Sequence, residues 1–251
     1  MFLSSFLVAI FAIMQYLNFD PFGKIAVYKC SNKVSACLDN PNLVGNYLVL
    51  SLPLFFLFKD KKFWVGMGLV ILGILASKSH FAIFLMGFSI LSYLFIRFRH
   101  SKSIIISLLG VVVASIFLIF HFDFAKLNLN ISGRLDVWKV AVTQFKASPL
   151  LGQGIGVWKS IMVRTYNGPV YTDWTTAHND WLERLVELGV VGVFLLVLVI
   201  VNSLRCFNWK ENTPFMVCFL TFLVMCFGSF PLETSTVFCV GWMSFCAVEK
   251  L

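Results

Sequence analysis

"TTAHNDWLERLVELGVVGVFLLVLVI", Thr175 to Ile200, sets the chain's only His-Asn-Asp triplet directly against a long apolar run. No charged side chain follows Glu187 until Arg205, which is enough uninterrupted apolar sequence to be read as a membrane-spanning helix. That reading decides the fold class, because runs of the same kind recur along the chain. It also singles out His178. Polar anchors beside a bilayer are usually Trp, Tyr, Lys or Arg, so a histidine at the mouth of a span calls for another explanation.

The whole composition agrees with lipid as the solvent. The chain has 251 residues, 59% hydrophobic and 13% charged, with 28 phenylalanines. A soluble domain carries about a quarter charged residues. The net charge of +8 does not point to nucleic acid, because the lysines and arginines sit between apolar runs, where they act as topology signals. Met1–Leu17 lacks a basic leader and "NFDPF" is no small-residue cleavage site, so the first run is read as a span. Five of the seven cysteines lie in or beside apolar runs and read as small core residues, while Cys30 and Cys37 share a polar loop where a disulfide could form. No His/Cys cluster has metal-ligand spacing.

Eight spans are expected, at 2–18, 42–58, 63–77, 80–97, 103–121, 187–204, 213–230 and 234–249. Several are short, so tilt or burial in protein must help. The loops with Lys59, Lys61, Lys62, Arg97, Arg99, Lys102, Arg205, Lys210 and Lys250 fall on one side, and those with Lys24, Lys29, Lys33 and Lys78 on the other. Counted over the short loops, that bias of nine against four makes the first side cytoplasmic. The 122–186 segment then emerges on the outer face, and a connection of that length is usually functional. Within it, "SGRLDVWKVAVTQFKASP" reads as a helix capped by Ser132 and ending before Pro149. Leu135, Trp138, Val142 and Phe145 form an apolar stripe suited to the membrane surface. The following "GQGIG" is read as a turn rather than a phosphate cradle, since no strand precedes it.

Three cations could serve an anionic substrate, and one histidine could accept a proton beside them. Arg134 lies near a helix start, where its bidentate guanidinium and free backbone donors both favour phosphate. The bland alternative is an interfacial cation. Lys78, in "ASKSHF", is either a second phosphate contact or a snorkelling lysine, and Arg164 is a further candidate cation. With Thr175 or Thr176 as N-cap, His178 falls in the first turn of a helix running to 204. Such a helix is roughly 43 Å long at 1.5 Å per residue. It exceeds the hydrocarbon core of about 30 Å, which puts His178 at headgroup level. The helix terminus would keep the imidazole neutral and able to accept a proton, with Asp180, Glu183 and Glu187 opposing that shift.

Taken together, these motifs resemble the O-antigen ligase and polymerase superfamily of bacterial membrane glycosyltransferases. "DNPNLVGNYLVLSLPLFF" resembles the family's Asn-rich opening of a span, with Asn42 and Asn46 in matching places. "ASKSHFAIFL" is similar to its Ser-Arg motif, with Lys78 in place of arginine. "SGRLDVWKVAVTQFKASPLLGQGIGVW" resembles the loop pattern of an Arg, a Trp four residues later, then Pro and Gly-x-Gly, and "AHNDWLERLVELGVVG" its His-Asn segment. The similarity runs from about 39 to 205.

The resemblance implies an all-α, polytopic GT-C-like glycosyltransferase occupying 1–251 as one transmembrane domain, with N-terminal spans of the family missing. It implies a bacterial inner-membrane location and a periplasmic active site. The donor would be a glycan on undecaprenyl diphosphate, with no nucleotide sugar, cofactor or metal, and the acceptor a hydroxyl of lipid A-core sugar. Arg134, with Lys78 and Arg164, would bind the diphosphate; His178 would act on the acceptor, supported by Asn179 or Glu187. A polymerase or a protein O-oligosaccharyltransferase would use similar chemistry on another acceptor. A non-catalytic transporter should show charges buried mid-span or inverted repeats, and the sequence has neither.

Overall fold

The computed structural model describes residues 2–19, 34–36, 38, 40–58, 60–98, 131–166, 176–205 and 212–249. Every regular element among them is a helix. In chain order these are α1 (Phe2–Tyr16), α2 (Pro41–Ser51) with a 3-10 extension (Leu52–Leu57), α3 (Lys61–Ala76), α4 (His80–Phe98), α5 (Ile131–Ala147), α6 (Val157–Tyr166), α7 (Asp180–Arg205), α8 (Thr213–Met225) and α9 (Ser235–Glu249). Among the described residues, α4 and α7 are long and apolar enough to cross a membrane, and the remaining apolar helices are shorter, at 10–17 residues. The expected span at 103–121, Cys30 with Cys37, and Thr175 lie outside the described residues.

The chain divides into two compact units. The first contains α1 to α4, α8 and α9. Asn40 starts α2 by accepting the Asn42 N–H at 2.8 Å, with Pro41 at the first helical position. The next proline, Pro53, cannot donate to a regular ladder, and the expected 42–58 span accordingly changes to 3-10 geometry from Leu52. Gly45 permits the close approach of α2 to α4, since a Cβ there would collide with Ala82 Cβ. Tyr47 donates to Ser4 Oγ at 2.8 Å and ties α2 to α1.

The second unit contains α5, α6, α7 and the turn Cys226–Phe230. Its core joins Val137 and Ala141 of α5, Trp158, Ile161 and Met162 of α6, and Ala177 and Val186. Val137 and Ala141 of α5 face this core, whereas Leu135 and Val142 of the stripe expected on the membrane surface are exposed. The long segment read as a loop supplies a packed core because the apolar residues of its two helices, α5 and α6, pack on each other and on Ala177 and Val186.

The long helix differs from expectation at both of its decisive points. It starts at Asp180, not 176, with Asn179 Oδ1 accepting the Leu182 N–H at 3.1 Å as the cap. It also breaks at Gly189, where φ is 65° and ψ is −174°. Segment 149–154 enters the break. Gln153 and Gly154 donate to Val186 O and Glu187 O at 2.9 and 3.0 Å, while Val190 and Val191 donate to Pro149 O and Leu150 O at 2.9 and 3.1 Å. These bonds satisfy the backbone groups that the interrupted ladder would leave bare. Beyond Gly189, Phe194, Leu195, Leu198 and Val199 are exposed, as a lipid-facing surface requires.

Candidate functional site

The site grows out of the short segment before α7. His178 adopts φ 51°, a left-handed conformation uncommon outside glycine. The segment around it is fixed at several points. Asn179 caps the helix, Glu183 Oε2 accepts the Ala177 N–H at 3.0 Å, and Trp138 Nε1 of α5 donates to Ala177 O at 2.9 Å. Asp180 N donates to Cys226 O at 2.8 Å, which docks the 226–230 turn against the start of α7.

Arg134, one helical turn before Trp138 on α5, donates from Nη1 to Gly228 O at 3.3 Å. Its charge reaches His178. The imidazole is pushed down to about 4, first by burial and then by the positive charge of Arg134. Burial also lowers the Arg134 guanidinium, which nevertheless keeps its proton at any ordinary pH. Phe230 meets the His178 ring edge-on, with centroids 4.9 Å apart. A permanently charged fork and a neutral imidazole therefore share one partly buried place, backed by a backbone turn. The cause of neutrality differs from the sequence expectation, being burial and Arg134 rather than the helix terminus.

The acidic residues are engaged elsewhere. Glu187, fully buried, accepts the Gly156 N–H through Oε1 at 2.7 Å and pairs with Arg184 Nη1 through Oε2 at 2.6 Å. Arg184 Nη2 also lies 3.7 Å from Glu183 Oε1. Glu187 thus clamps the glycine turn to α7, and Asn179 caps the helix; these are structural tasks beside the support for His178 that the family resemblance implied for them. The spacing of Asp180, Glu183, Arg184 and Glu187 marks one helix face, so a buried charged stripe was readable from sequence and missed.

The other two cations stand apart from this arrangement. Arg164 is exposed in the last turn of α6, in the same unit. Lys78 belongs to the first unit, where it has φ 52° and places Nζ 5.1 Å from the centroid of the Tyr16 ring. Sequence reasoning also missed Gly228 and Phe230, because it read 213–230 as one span; α8 ends at Met225 and a turn follows. Among the described residues, no group of three or more His, Cys, Asp or Glu could hold a metal ion.

These features define a helical protein, with two potential membrane helices among the described residues and a cation and an imidazole gathered at one turn outside them. Comparison with known proteins gives the class a family. A family model described as O-antigen ligase matches residues 65–197, more than half of the chain, and the chain belongs to that family. A Rickettsia felis protein with the provisional name polysaccharide ligase is 25% identical over 179 residues, covering 62% of this chain and 44% of that one. An uncharacterized Haemophilus influenzae protein is 27% identical over 90 residues, 34% of this chain and 23% of its own. The chain therefore matches less than half the length of either relative.

Proposed function

We propose that the chain transfers a glycan from undecaprenyl diphosphate to an acceptor hydroxyl on the periplasmic face of the inner membrane. The observation that carries this reading is that Arg134 and His178, both inside the region matched by the ligase family and from segments far apart in sequence, meet the same 226–230 turn, Arg134 through Gly228 O and His178 through Phe230. In the transfer, the bond from the anomeric carbon to the phosphate oxygen breaks and the diphosphate leaves with the electron pair. The acceptor oxygen bonds to the anomeric carbon and its proton passes to His178. Arg134 opposes the charge growing on the leaving phosphate, which is larger in the transition state than in the donor. The imidazole is neutral and able to take the acceptor proton, and a diphosphate bound at Arg134 would offset the positive charge that weakens it as a base. Lys78 and Arg164 are proposed as further phosphate contacts, and lipid A-core sugar as the acceptor.

Membranes containing the protein are incubated with lipid-linked glycan and, separately, with lipid A-core, a second lipid-linked glycan or an acceptor protein. Glycosylated lipid A-core is the expected product. Transfer only to lipid-linked glycan would make the chain a polymerase, transfer only to protein would make it an O-oligosaccharyltransferase, and binding without transfer would leave a transporter.

A further inference from the structure

The Trp in the "RLDVW" segment has no part in the chemistry proposed above, yet it is bonded one residue away from His178. Both hydrogen-bonding groups of the Ala177 backbone are taken by side chains: the N–H by Glu183 at 3.0 Å and the C=O by Trp138 at 2.9 Å. Ala177 is fully buried, so neither group has ready access to replacement water. Its methyl group is also part of the unit's apolar core. The peptide leading into His178 is therefore held from two helices at once. This holding explains how a non-glycine residue keeps the left-handed φ of 51° at position 178.

We propose that Trp138 and Glu183 are positioning residues that grip the Ala177 backbone and thereby set His178 against Arg134. Trp138 is the part of the grip that links the two halves of the site. It lies one turn after Arg134 on α5, on the same face, so its bond to Ala177 fixes the height of Arg134 along His178. Glu183 supplies the matching constraint from α7, and its carboxylate is held in turn near Arg184. The assignment rests on the transferase reading for its consequence in catalysis, but the grip itself has a readout that needs no turnover. His178 meets Phe230 edge-on at 4.9 Å, so the His178 ring protons carry a ring-current shift that reports their position.

The full chain is purified in lipid nanodiscs with isotopically labelled histidine, and Trp138→Phe, Glu183→Gln and Glu183→Ala are compared with the parent. Trp138→Phe keeps an aromatic ring and removes the donor. It should displace the His178 resonances and lower turnover by roughly 10²-fold, the scale of a small misplacement of a catalytic group, while donor binding stays unchanged. Glu183→Gln keeps an oxygen able to accept the Ala177 N–H and should hold the His178 resonances in place; Glu183→Ala should not. Unchanged His178 resonances in Trp138→Phe overturn the proposal, as does loss of donor binding in parallel with turnover. If Trp138→Phe does not accumulate, the Glu183 pair decides, and identical resonances in the two variants overturn it. A parent protein inactive with every acceptor removes the transferase reading alone, and the resonances still decide the positioning.

Discussion

Gly152 and Gly189 pack backbone against backbone across the break in α7. A Cβ on Gly152 would run into Glu187 O, and a Cβ on Gly189 into Leu150 O. Both residues have positive φ, 71° and 65°, so the close approach and the conformation each require glycine. The turn read from "LLGQGIG" and the glycine of "ELG" are thus halves of one joint, closed by the four backbone hydrogen bonds of segment 149–154.

Replacing either glycine by alanine should therefore destabilise the second unit by more than the roughly 1 kcal/mol typical of a tolerated glycine site. Thermal unfolding in detergent and yield per membrane measure this. A Gly189→Ala protein as stable as its parent would mean that α7 runs straight, as the sequence alone suggests. Gly154 has positive φ but open space around its Cβ position, so Gly154→Ala should cost less than Gly152→Ala.

Glu187 fastens the same joint with charge. Its removal leaves the largely buried Arg184 without its 2.6 Å partner and the Gly156 N–H without its acceptor. Breaking a buried pair from one side costs on the order of 3–5 kcal/mol, so Glu187→Ala should be poorly folded. Glu187→Gln keeps an acceptor for Gly156 and should fall between the two. Equal stability of all three proteins, measured by denaturation, would remove the clamp.

How much of this could be read in advance depended on whether a feature was local. Apolar runs gave the helices at 2–16, 61–76 and 80–98 nearly to the residue, because burial and periodicity act along one segment. Arg134 and His178 could be nominated by chemistry and order. The break at Gly189 could not, since "LGVVGVFLL" is a sound helix until Leu150 and Gly152 come against it from far earlier in the chain. For the same reason the protein-facing side of α5, Val137 and Ala141, is set by Trp158 and Ala177 from elsewhere in the chain, and Phe230 was hidden inside an apolar run.

Topology supplies an independent test, since the nine-to-four basic bias of the short loops predicts that 59–62 and 205–211 lie inside the cell. Single cysteines introduced there should resist an impermeant thiol reagent in intact cells, and those introduced at 165–172 should react. The reverse pattern would put His178 in the cytoplasm and end the periplasmic proposal.

The depressed titration of His178 has a definite sign. Its ordinary value of 6.5 falls to about 4 in the folded chain, so between these values the unfolded chain binds more protons. Stability should then fall as pH drops from 6.5 through about 4, and this group should add no slope above 6.5. Arg134→Ala removes the second cause and leaves burial, so the His178 titration should move only partway back toward its ordinary value. Titration by magnetic resonance measures both. An ordinary value in the parent protein would mean that neither burial nor Arg134 acts on the ring.

The sharpest test separates the two partners of the site. Arg134 is assigned to the diphosphate in both the donor complex and the transition state, so Arg134→Ala should weaken donor binding as well as turnover. Arg134→Lys should recover only part, because a point charge replaces a fork that is also bonded to Gly228 O. His178 is assigned to the acceptor. His178→Ala should leave donor binding nearly intact and lower turnover by roughly 10²–10⁴-fold, the range for a lost general base. Because His178 sits at φ 51°, alanine there also carries backbone strain, so abundance and melting must be measured on the same purified proteins. His178→Asn separates the effects, since asparagine tolerates the left-handed conformation but is no base near neutral pH. A folded His178→Asn protein with normal turnover would reduce His178 to a hinge at the start of α7. Lost turnover with intact donor binding in that protein would assign the proton transfer to the imidazole.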